Sequence, residues 1–486
     1  MRILSKFRTP KILFPSFQRP AVPSDTRRKS FSFNAVTLMK VIVFEDQPVW
    51  NLYPITIGRG AFAITCGSLR MINVVLQIPS SAVGFLCRPY LEGISRYDYS
   101  EPGFFFGHQA VLAELENCAP NENILLLNAR MVPSIQLLPF FRECIRKNEH
   151  CAFPWQTDLA CACIPAERLL NVLKALPETL HPTAVLPIDF AALARDLPQC
   201  FEHPLELFDY PHDVVRSHVE IFNSNLEYRI QHTVPSQTGQ NGTRWTNGKW
   251  TEIRDGVFVG QNVRFGDYLV TDTTNGPILV DEGASIGPFC YLKGPVYVGP
   301  HSKVIEHSAL KDFVGLAHTT KVGGEVESST IEPYTNKQHH GFLGHSYLGS
   351  WINLGAGTCN SDLKNTYGSV SMQYKSGRVA TTMQFLGCII GDYSKTAINT
   401  SIFTGKTIGS CSMVYGFVTR NVPCFVNYAR SFGQCTESPV EVMISTQQRM
   451  FERRNVRQEK VHVDLLHQMF SLSTGERQME NEPLSL

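Results

Sequence analysis

The feature that most constrains this chain is an aliphatic or aromatic residue followed by glycine, which recurs through the second half of the sequence. The steps from 259 to 265, 286 to 298, 348 to 354, 354 to 390 and 390 to 408 are all multiples of six residues. A hexapeptide period is typical of a parallel β-helix, in which each six residues form one flat face of a prism. The apolar residue points into the prism, and the glycine allows the tight corner after it. The pairs in this phase are Val259-Gly260, Phe265-Gly266, Ile286-Gly287, Val298-Gly299, Leu348-Gly349, Leu354-Gly355, Ile390-Gly391 and Ile408-Gly409.

Three further pairs, Val314-Gly315, Val322-Gly323 and Leu343-Gly344, fall out of this phase and predict loops between coils. Because every coil hydrogen-bonds to its neighbours, the core of such a column is continuous and no single coil is stable alone. A meandering antiparallel sheet would show a period of two residues and hairpin turns instead. The sequence therefore predicts a β-helix over residues 251–435, followed by a helical tail over residues 436–486.

A different pattern fills residues 39–232, where short apolar runs alternate with longer amphipathic stretches. Strands that alternate with helices predict a mainly parallel sheet covered on both faces. The predicted strands are residues 41–44, 82–87, 123–128 and 183–188, and the predicted helices are residues 137–147 and 166–176.

Two segments outside these domains are interpreted from composition alone. Residues 1–38 hold eight Lys or Arg against one acidic residue, Asp25, and predict a solvated tail, an upstream start before Met39 or a targeting extension. Residues 233–250 are rich in Gly, Ser, Thr and Asn, which predicts a linker or an exposed loop.

The composition excludes several classes of protein. With 43% hydrophobic and 18% charged residues the chain is globular, and its net charge of +1 gives no field to steer it onto nucleic acid or an anionic membrane. No segment reaches the roughly 18 to 20 continuous apolar residues that span a bilayer. The cysteines are scattered through apolar runs, which predicts reduced, buried thiols. We therefore expect a cytoplasmic protein with no nucleic-acid partner and no membrane span.

The stretch NKQHHGFLGHSYLGSWINLGAGTCNSDLKN, residues 336–365, carries a resemblance to a known family. It is similar to the acetyltransferase half of the bifunctional enzyme that makes UDP-N-acetylglucosamine, and to the GlmU-related branch of sugar nucleotidyltransferases. The likeness covers residues 39–436, is specific in the β-helix and is looser in the first domain. It implies a Rossmann-like nucleotidyltransferase domain, then a left-handed parallel β-helix of hexapeptide repeats. It also implies a homotrimer, with the acetyl-transfer site between neighbouring columns.

The resemblance makes His339 the candidate catalytic residue. In the bifunctional enzyme a histidine lies fourteen residues before the Asn of an Asn-Ile/Leu-Gly-Ala-Gly-Thr segment, and here that Asn is Asn353. The family histidine is the general base that deprotonates the amino group of glucosamine 1-phosphate as it attacks acetyl-CoA. The chemistry needs such a group, because an ammonium is not a nucleophile and imidazole, with a pKa near 6.5, accepts a proton at neutral pH. The alternative is that His339 and His340 are exposed polar residues at a coil corner; we expect His340 to be a bystander.

Other site residues follow from the same resemblance. Two lysines are candidate phosphate partners, since lysine offers a compact charge, and Phe342 stands where the family has a substrate-contacting Tyr. Asn353 is either a sugar or base contact or a corner residue, and Asn360 aligns with a family Asn only if two residues are skipped. Arg420 either binds acetyl-CoA or packs on the last coil. The candidates for substrate are Lys337, Phe342, Asn353, Asn360 and Lys364, and those for acetyl-CoA are Asn399 and Arg420.

The first domain resembles the GlmU-related branch in three segments, residues 51–70, 123–133 and 210–216. The Gly-rich loop of the bifunctional enzyme is absent; Arg59 is kept, but Gly60 replaces a Pro and Thr65 replaces an Arg. The lost basic residues weaken the expectation of uridylyl transfer, and no metal ligands are assigned. The nucleotide-binding candidates are Arg59, Asn128, Arg130 and Asp213.

The sequence therefore predicts a transferase of sugar-nucleotide biosynthesis. It would acetylate a hexosamine 1-phosphate with acetyl-CoA and transfer a nucleotidyl group from an NTP, expected to be UTP, with Mg²⁺. One alternative is a nucleotidyltransferase whose β-helix is a trimerising scaffold. Another is a non-catalytic protein that binds nucleotide sugars.

Overall fold

The apolar run that begins at Met39 forms a central strand of a six-stranded sheet. The structure, a computed structural model, describes residues 38–232 and 250–478. Apart from Leu38 and Trp250, the predicted extension 1–38 and the predicted linker 233–250 lie outside the described residues. The strands are β1 (Met39–Phe44), β2 (Ser80–Leu86), β3 (Phe104–Phe106), β4 (Asn123–Asn128), β5 (Cys151–Trp155) and β6 (Asp158–Pro165). The helices are α1 (Met71–Val75), α2 (Glu92–Asp98), α3 (His108–Glu116), α4 (Leu138–Lys147), α5 (Ala166–Lys174), α6 (Phe190–Ala194) and α7 (Pro211–Gln231).

The sheet has the order β3-β2-β1-β4-β6-β5. Strands β1 to β4 are parallel, whereas β6 is antiparallel to both β4 and β5. Alternate residues of β1 enter two different hydrophobic clusters, with Val41 and Val43 on one face and Ile42 and Phe44 on the other. Both faces are therefore covered, as predicted for a Rossmann-like domain.

One predicted strand of this domain is wrong. Residues 183–188 form no strand, although Val185 and Leu186 are buried. The antiparallel pair β5 and β6 occupies that side of the sheet instead. A short apolar run predicts burial well, but it does not distinguish a strand from an irregular buried segment.

The second half forms a column of short strands. They are β7 (Thr251–Arg254), β8 (Val257–Val259), β9 (Arg264–Phe265), β10 (Val270–Asp272), β11 (Ile278–Val280), β12 (Ser285–Ile286), β13 (Tyr291–Lys293), β14 (Val296–Val298), β15 (Lys303–Val304), β16 (Ala309–Lys311), β17 (Val314–Leu316), β18 (Lys321–Val322), β19 (Glu325–Glu327), β20 (Thr330–Ile331), β21 (Asn336–Lys337), β22 (Phe342–Gly344), β23 (Tyr347–Leu348), β24 (Cys359–Asn360), β25 (Ser371–Tyr374), β26 (Gly377–Ala380), β27 (Cys388–Ile390), β28 (Lys395–Thr396), β29 (Ser401–Ile402), β30 (Lys406–Ile408), β31 (Met413–Val414), β32 (Phe417–Val418), β33 (Val426–Ala429) and β34 (Gln434–Glu437). Three helices follow: α8 (Val440–Glu452), α9 (Lys460–Leu472) and α10 (Thr474–Gln478).

The column has three faces, and stacked strands within a face are parallel except at its two ends. The first face has the order β30-β27-β23-β20-β17-β14-β11-β8-β7. Its inner row includes Val298, Leu316, Leu348, Ile390 and Ile408, which are all fully buried. Except for Phe265, which is 37% exposed, the residues before the in-phase glycines therefore form the core, which confirms the predicted left-handed β-helix fold class. The antiparallel hairpin β25–β26 interrupts the coils, and we call residues 366–386 the inserted segment.

A single hydrophobic core joins the first domain, the column and the helical tail. One cluster contains Val43 from the sheet, Tyr347 and Trp351 from the column, and Phe451 and Leu466 from the tail. The tail thus packs against both the first domain and the column, as in the ring contacts of His462 with Tyr97 and of Phe451 with Trp351. The domain limits taken from the sequence stay predictions. Within the described residues no helix has both the length and the apolar content of a membrane span.

Candidate active site

The two adjacent histidines lie on the turn that joins β21 to β22, residues 338–341, which we call the histidine turn. Both His339 and His340 are exposed. The turn stacks on the next coil, where the Gly357 amide donates to the His340 carbonyl oxygen at 3.1 Å. His339 is therefore neither inside its own column nor covered by the first domain.

The corner at the end of the histidine turn is a glycine in two successive coils, so neither coil has a side chain at this position. Gly341 and Gly357 occupy equivalent positions there, with φ of 129° and 75°, and Asn399 follows at 54° in the next coil. A Cβ on Gly357 would lie 2.1 Å from Asn399 Oδ1 and 3.4 Å from His340 Nε2. The structure therefore brings His340, the expected bystander, and the predicted acetyl-CoA residue Asn399 together over Gly357.

Lys337 points into the column. Its side chain is 2% exposed, and Nζ donates to the carbonyl oxygens of Gly323 at 2.7 Å, His339 at 2.9 Å and Gly341 at 2.7 Å. Burial lowers the pKa of this lysine to about 8. Because an ammonium has three donors and all three are used, the predicted contact of Lys337 with a substrate phosphate does not fit this geometry.

Three other predicted substrate residues lie near the turn with different exposures. Asn353 is exposed and lies beside Asn336, with 3.5 Å between Asn336 Nδ2 and Asn353 Oδ1. Phe342 is half-buried at the start of β22. Asn360 is 5% exposed, and its amide exchanges hydrogen bonds of 2.9 and 3.0 Å with the backbone of Gly344. Asn360 is thus part of the ladder between coils, and it also lines the groove described below, so its role stays a prediction.

A groove that carries only positive charge opens one coil beyond the histidine turn. It has a volume of about 980 Å³ and is formed by the inserted segment and the coils around β24 and β29. Lys364, Arg378 and Lys406 line it, and none of the described residues that line it is acidic. It begins at Cys359, whose thiol accepts a 3.3 Å hydrogen bond from the Phe342 amide. We call it the cationic groove; a cleft of this size and charge suits a phosphorylated ligand.

The lysines of the cationic groove are held by backbone carbonyls. Lys364 Nζ donates to the Ser369 carbonyl oxygen at 2.7 Å, and Lys406 Nζ donates to that of Thr404 at 3.2 Å. Burial lowers the pKa of Lys406, and the charge of Lys364 lowers it further. Each ammonium keeps donors for an anion. Sequence reasoning missed Arg378, because the inserted segment has no hexapeptide phase to align, and it also missed Lys406, which lies on β30.

Arg420, the other predicted acetyl-CoA residue, is exposed on the turn after β32. Its neighbour Thr419 lines the cationic groove. Arg420 therefore follows directly on a residue that lines the groove. Its role stays a prediction.

Arg59, a predicted nucleotide-binding residue, forms ion pairs with two carboxylates of the column. Its guanidinium pairs with Glu332 at 3.0 Å and, by a very short contact, with Asp392. Arg70 pairs with the same Glu332 at 2.7 Å. Burial would raise the pKa of Glu332, but Arg70 and Arg59 outweigh it and hold that pKa at about 2. We call Arg59, Arg70, Glu332 and Asp392 the interdomain ion cluster.

Arg130 and Asn128 lie at the carboxyl end of β4, where ligands of open parallel sheets bind. The fully buried Arg130 guanidinium pairs with Asp46 at 2.7 Å, Asp158 at 2.5 Å and Asp209 at 3.2 Å. Asn128 Nδ2 also donates to Asp46, at 2.7 Å. The positive charge of Arg130 is therefore already neutralised by carboxylates of the first domain.

Asp213, another predicted nucleotide-binding residue, has a structural contact as well. Its carboxylate accepts hydrogen bonds from the amides of Asp209 and Tyr210 at 3.0 and 2.8 Å and caps α7.

The crevice beside Asp46 measures about 370 Å³ and is lined by Asp46, Asp158 and Asp189, with no Lys or Arg among its described lining residues. Within the described residues no group of three His, Cys, Asp or Glu side chains is arranged to hold a metal ion. The side chains of this crevice as arranged do not fit Mg²⁺, since both Asp46 oxygens already accept from Arg130 at 2.7 and 2.8 Å.

The first domain is similar in sequence to a known family. Residues 41–232 match the family model for sugar nucleotidyl transferase. The bifunctional sugar-1-phosphate nucleotidylyltransferase/acetyltransferase of Sulfurisphaera tokodaii is 31% identical over 169 residues, which cover 34% of this chain and 41% of that protein. The bifunctional protein GlmU of Ralstonia nicotianae is 30% identical over 118 residues, or 24% and 25% of the two chains. The resemblance to this group is confirmed, although the chain spans less than half the length of these curated relatives.

Two solved structures are also similar. The polySia specific acetyltransferase NeuO has 15% identity and a TM-score of 0.22, and covers 42% of this chain and 99% of its own. The UDP-N-acetylglucosamine acyltransferase of Arabidopsis has 13% identity and a TM-score of 0.24, and covers 48% of this chain and 83% of its own.

Proposed function

We propose that this protein is a transferase of sugar-nucleotide biosynthesis that acetylates a hexosamine 1-phosphate with acetyl-CoA. The observation that carries the proposal is the exposed His339 beside a glycine corner, one coil from a large cationic groove. The groove offers the charge that a sugar phosphate and coenzyme A need, and His339 offers a base. Relatives named as bifunctional nucleotidylyltransferase/acetyltransferase proteins support the same reading.

In this reaction His339 accepts a proton from the ammonium of the sugar. The freed amine forms a bond to the thioester carbonyl carbon, and the carbon–sulfur bond breaks. The second proton that the nitrogen loses goes to the sulfur, so coenzyme A leaves as the thiol, and His339 releases the first proton to solvent. A positioned base contributes about 10² to 10⁴ in rate. Lys364 and the groove cations Arg378 and Lys406 would hold the sugar phosphate, and Asn353 and Phe342 would bound the sugar.

Asn399 and Arg420 would contact acetyl-CoA. The site is proposed to lie between columns of a homotrimer. Large apolar side chains are exposed on the coils that follow the histidine turn: Ile398 is 68% exposed and Phe417 57%. Their burial against a second copy of the chain would give a strong reason for association. A cytoplasmic location is part of the same proposal.

The nucleotidyl half of the proposal is an NTP-dependent transfer that yields a UDP-N-acetylglucosamine-like product, with UTP and Mg²⁺ entering together as substrate. Arg59, Asn128, Arg130 and Asp213 would bind the nucleotide. A second candidate is acetyl transfer alone, with the first domain as a support for the column. The ion pairs of Arg59 and Arg130 and the acidic crevice favour this second candidate, because a triphosphate needs free cations.

The deciding experiment offers the purified full chain acetyl-CoA with glucosamine 1-phosphate, and separately UTP with N-acetylglucosamine 1-phosphate. Thiol release measures the first reaction and pyrophosphate release the second. Thiol release without pyrophosphate supports acetyl transfer alone, and both products support the bifunctional enzyme. Absence of thiol release refutes the acetyl-transfer proposal; bound sugar nucleotide with two blank assays would point to a non-catalytic binder.

A further inference from the structure

Lys337 is an unusual residue for the interior of a β-helix. No carboxylate of the described residues forms an ion pair with it, and its partners are three backbone carbonyl oxygens at 2.7 to 2.9 Å. Buried lysines are rare unless they are paired, because removing an ammonium from water is costly. A lysine that is buried without an ionic partner therefore indicates that its hydrogen bonds have a structural role.

The three carbonyls show what the ammonium connects. Those of His339 and Gly341 flank His340 in the histidine turn, and that of Gly323 belongs to the preceding coil. One side chain therefore ties the turn, at His339 and at Gly341, to the preceding coil. The ammonium of Lys337 is packed closely against Gly324, where a side chain would not fit. A Cβ on Gly324 would lie 3.0 Å from Lys337 Nζ and 2.9 Å from the Gly341 carbonyl oxygen.

We propose that Lys337 is a positioning residue for His339, and that its ammonium holds the histidine turn in the geometry that acetyl transfer requires. The inference rests on the proposed function. Among the residues that the structure describes, no other side chain hydrogen-bonds to the backbone of the histidine turn, and the glycine of this turn gives it more conformational freedom than another residue would. A base displaced by about 1 Å can lose about 10²-fold in rate.

The charge state of Lys337 fits this role. Burial lowers its pKa to about 8, and Cys359 and Glu325 act in the opposite direction. Lys311 pairs with Glu325 at 2.5 Å and with Glu327 at 3.3 Å. The negative charge of Glu325, which acts on Lys337, is therefore already paired with another lysine. At neutral pH the side chain is charged and offers three donors to three acceptors. Deprotonation would turn a lone pair toward a carbonyl oxygen and weaken the anchor.

The test compares Lys337→Met and Lys337→Gln with Lys395→Met in the full chain. Lys395 is a suitable control, because burial lowers its pKa to about 8 as well, but within the described part of the chain its Nζ donates to a single acceptor, the Tyr393 carbonyl oxygen, at 2.9 Å. Hydrogen–deuterium exchange of the segment 336–344 reports the anchor, and steady-state thiol release reports catalysis. The glutamine variant, with two donors, covers the case in which methionine prevents folding.

For Lys337→Met we expect exchange at the histidine turn at least 10-fold faster and kcat lowered about 10- to 100-fold, with KM for either substrate changed less than 3-fold. Lys337→Gln should lie between Lys337→Met and wild type, and Lys395→Met should leave exchange at the turn and kcat near wild type. Unchanged exchange in both Lys337 variants would overturn the anchor. Faster exchange with wild-type kcat would overturn its role in catalysis. If wild-type protein releases no thiol, the proposed function itself fails, which is a distinct result.

Discussion

Replacing Glu332 by glutamine removes one negative charge from a site that solvent does not reach. The carboxylate accepts hydrogen bonds from the Thr65 amide at 3.0 Å and hydroxyl at 2.9 Å, from Arg70 at 2.7 Å and from the Tyr347 hydroxyl at 2.8 Å. Arg59 pairs with it at 3.0 Å. Glutamine keeps the shape but leaves Asp392 as the remaining ion-pair partner of Arg59 and removes the carboxylate that pairs with Arg70.

The magnitude follows from the pKa of Glu332. A carboxyl whose pKa falls from 4.5 in the unfolded chain to about 2 in the folded protein contributes about 3 kcal/mol at pH 7. Because folding lowers this pKa, the contribution is present above pH 4.5 and is lost as the pH falls toward 2. Breaking one partner of a buried ion pair costs a similar 3 to 5 kcal/mol or so. We therefore expect Glu332→Gln to lose about 3 kcal/mol at pH 7 and about 1.5 kcal/mol at pH 3.

The assay is urea unfolding at pH 7 and pH 3, followed by tryptophan fluorescence, because Trp351 lies in the cavity beside Asp392. Glu143→Gln is the control, since Glu143 forms an exposed pair with Arg146 at 2.6 Å on α4 and should change little. A loss below 1 kcal/mol at pH 7 would refute the reasoning. So would a loss that stays the same at pH 3, because the effect would then not depend on charge.

Three further predictions concern the site. His339→Ala should lower kcat for acetyl transfer about 10² to 10⁴-fold, whereas the exposed His307→Ala on an earlier coil should not; a loss under threefold for His339→Ala would remove it as the base. Lys406→Ala should raise KM for the sugar phosphate about 10-fold in initial-rate assays with little change in kcat, because a charged hydrogen bond to phosphate is lost; an unchanged KM would place the phosphate elsewhere. Phe417→Glu should shift the chain from trimer to monomer in light scattering and abolish acetyl transfer, since a charge would replace an apolar contact; a monomeric wild-type protein would contradict the trimer.

Local repetition explains how much of the fold was predictable. The column follows from a six-residue period in which each coil meets only its neighbours, so residues such as Leu348 and Ile390 reveal their burial without distant information. The exposure of His339 follows in the same way, because it stands at a corner of that period. The strands of the first domain were predictable where apolar runs were continuous, as in β1 and β4, but not where the antiparallel pair β5 and β6 replaced the run 183–188.

The sequence by itself determined the type of each domain and the turn on which the candidate base lies. Only the tertiary structure decided what the charged residues do. Arg59 meets Glu332 and Asp392, which lie more than 270 residues later in the chain, and Lys337 turns inward to three carbonyls that no periodicity indicates. A period records which side of an element is apolar, whereas the partner of a charge depends on which distant surfaces meet when the core between them forms.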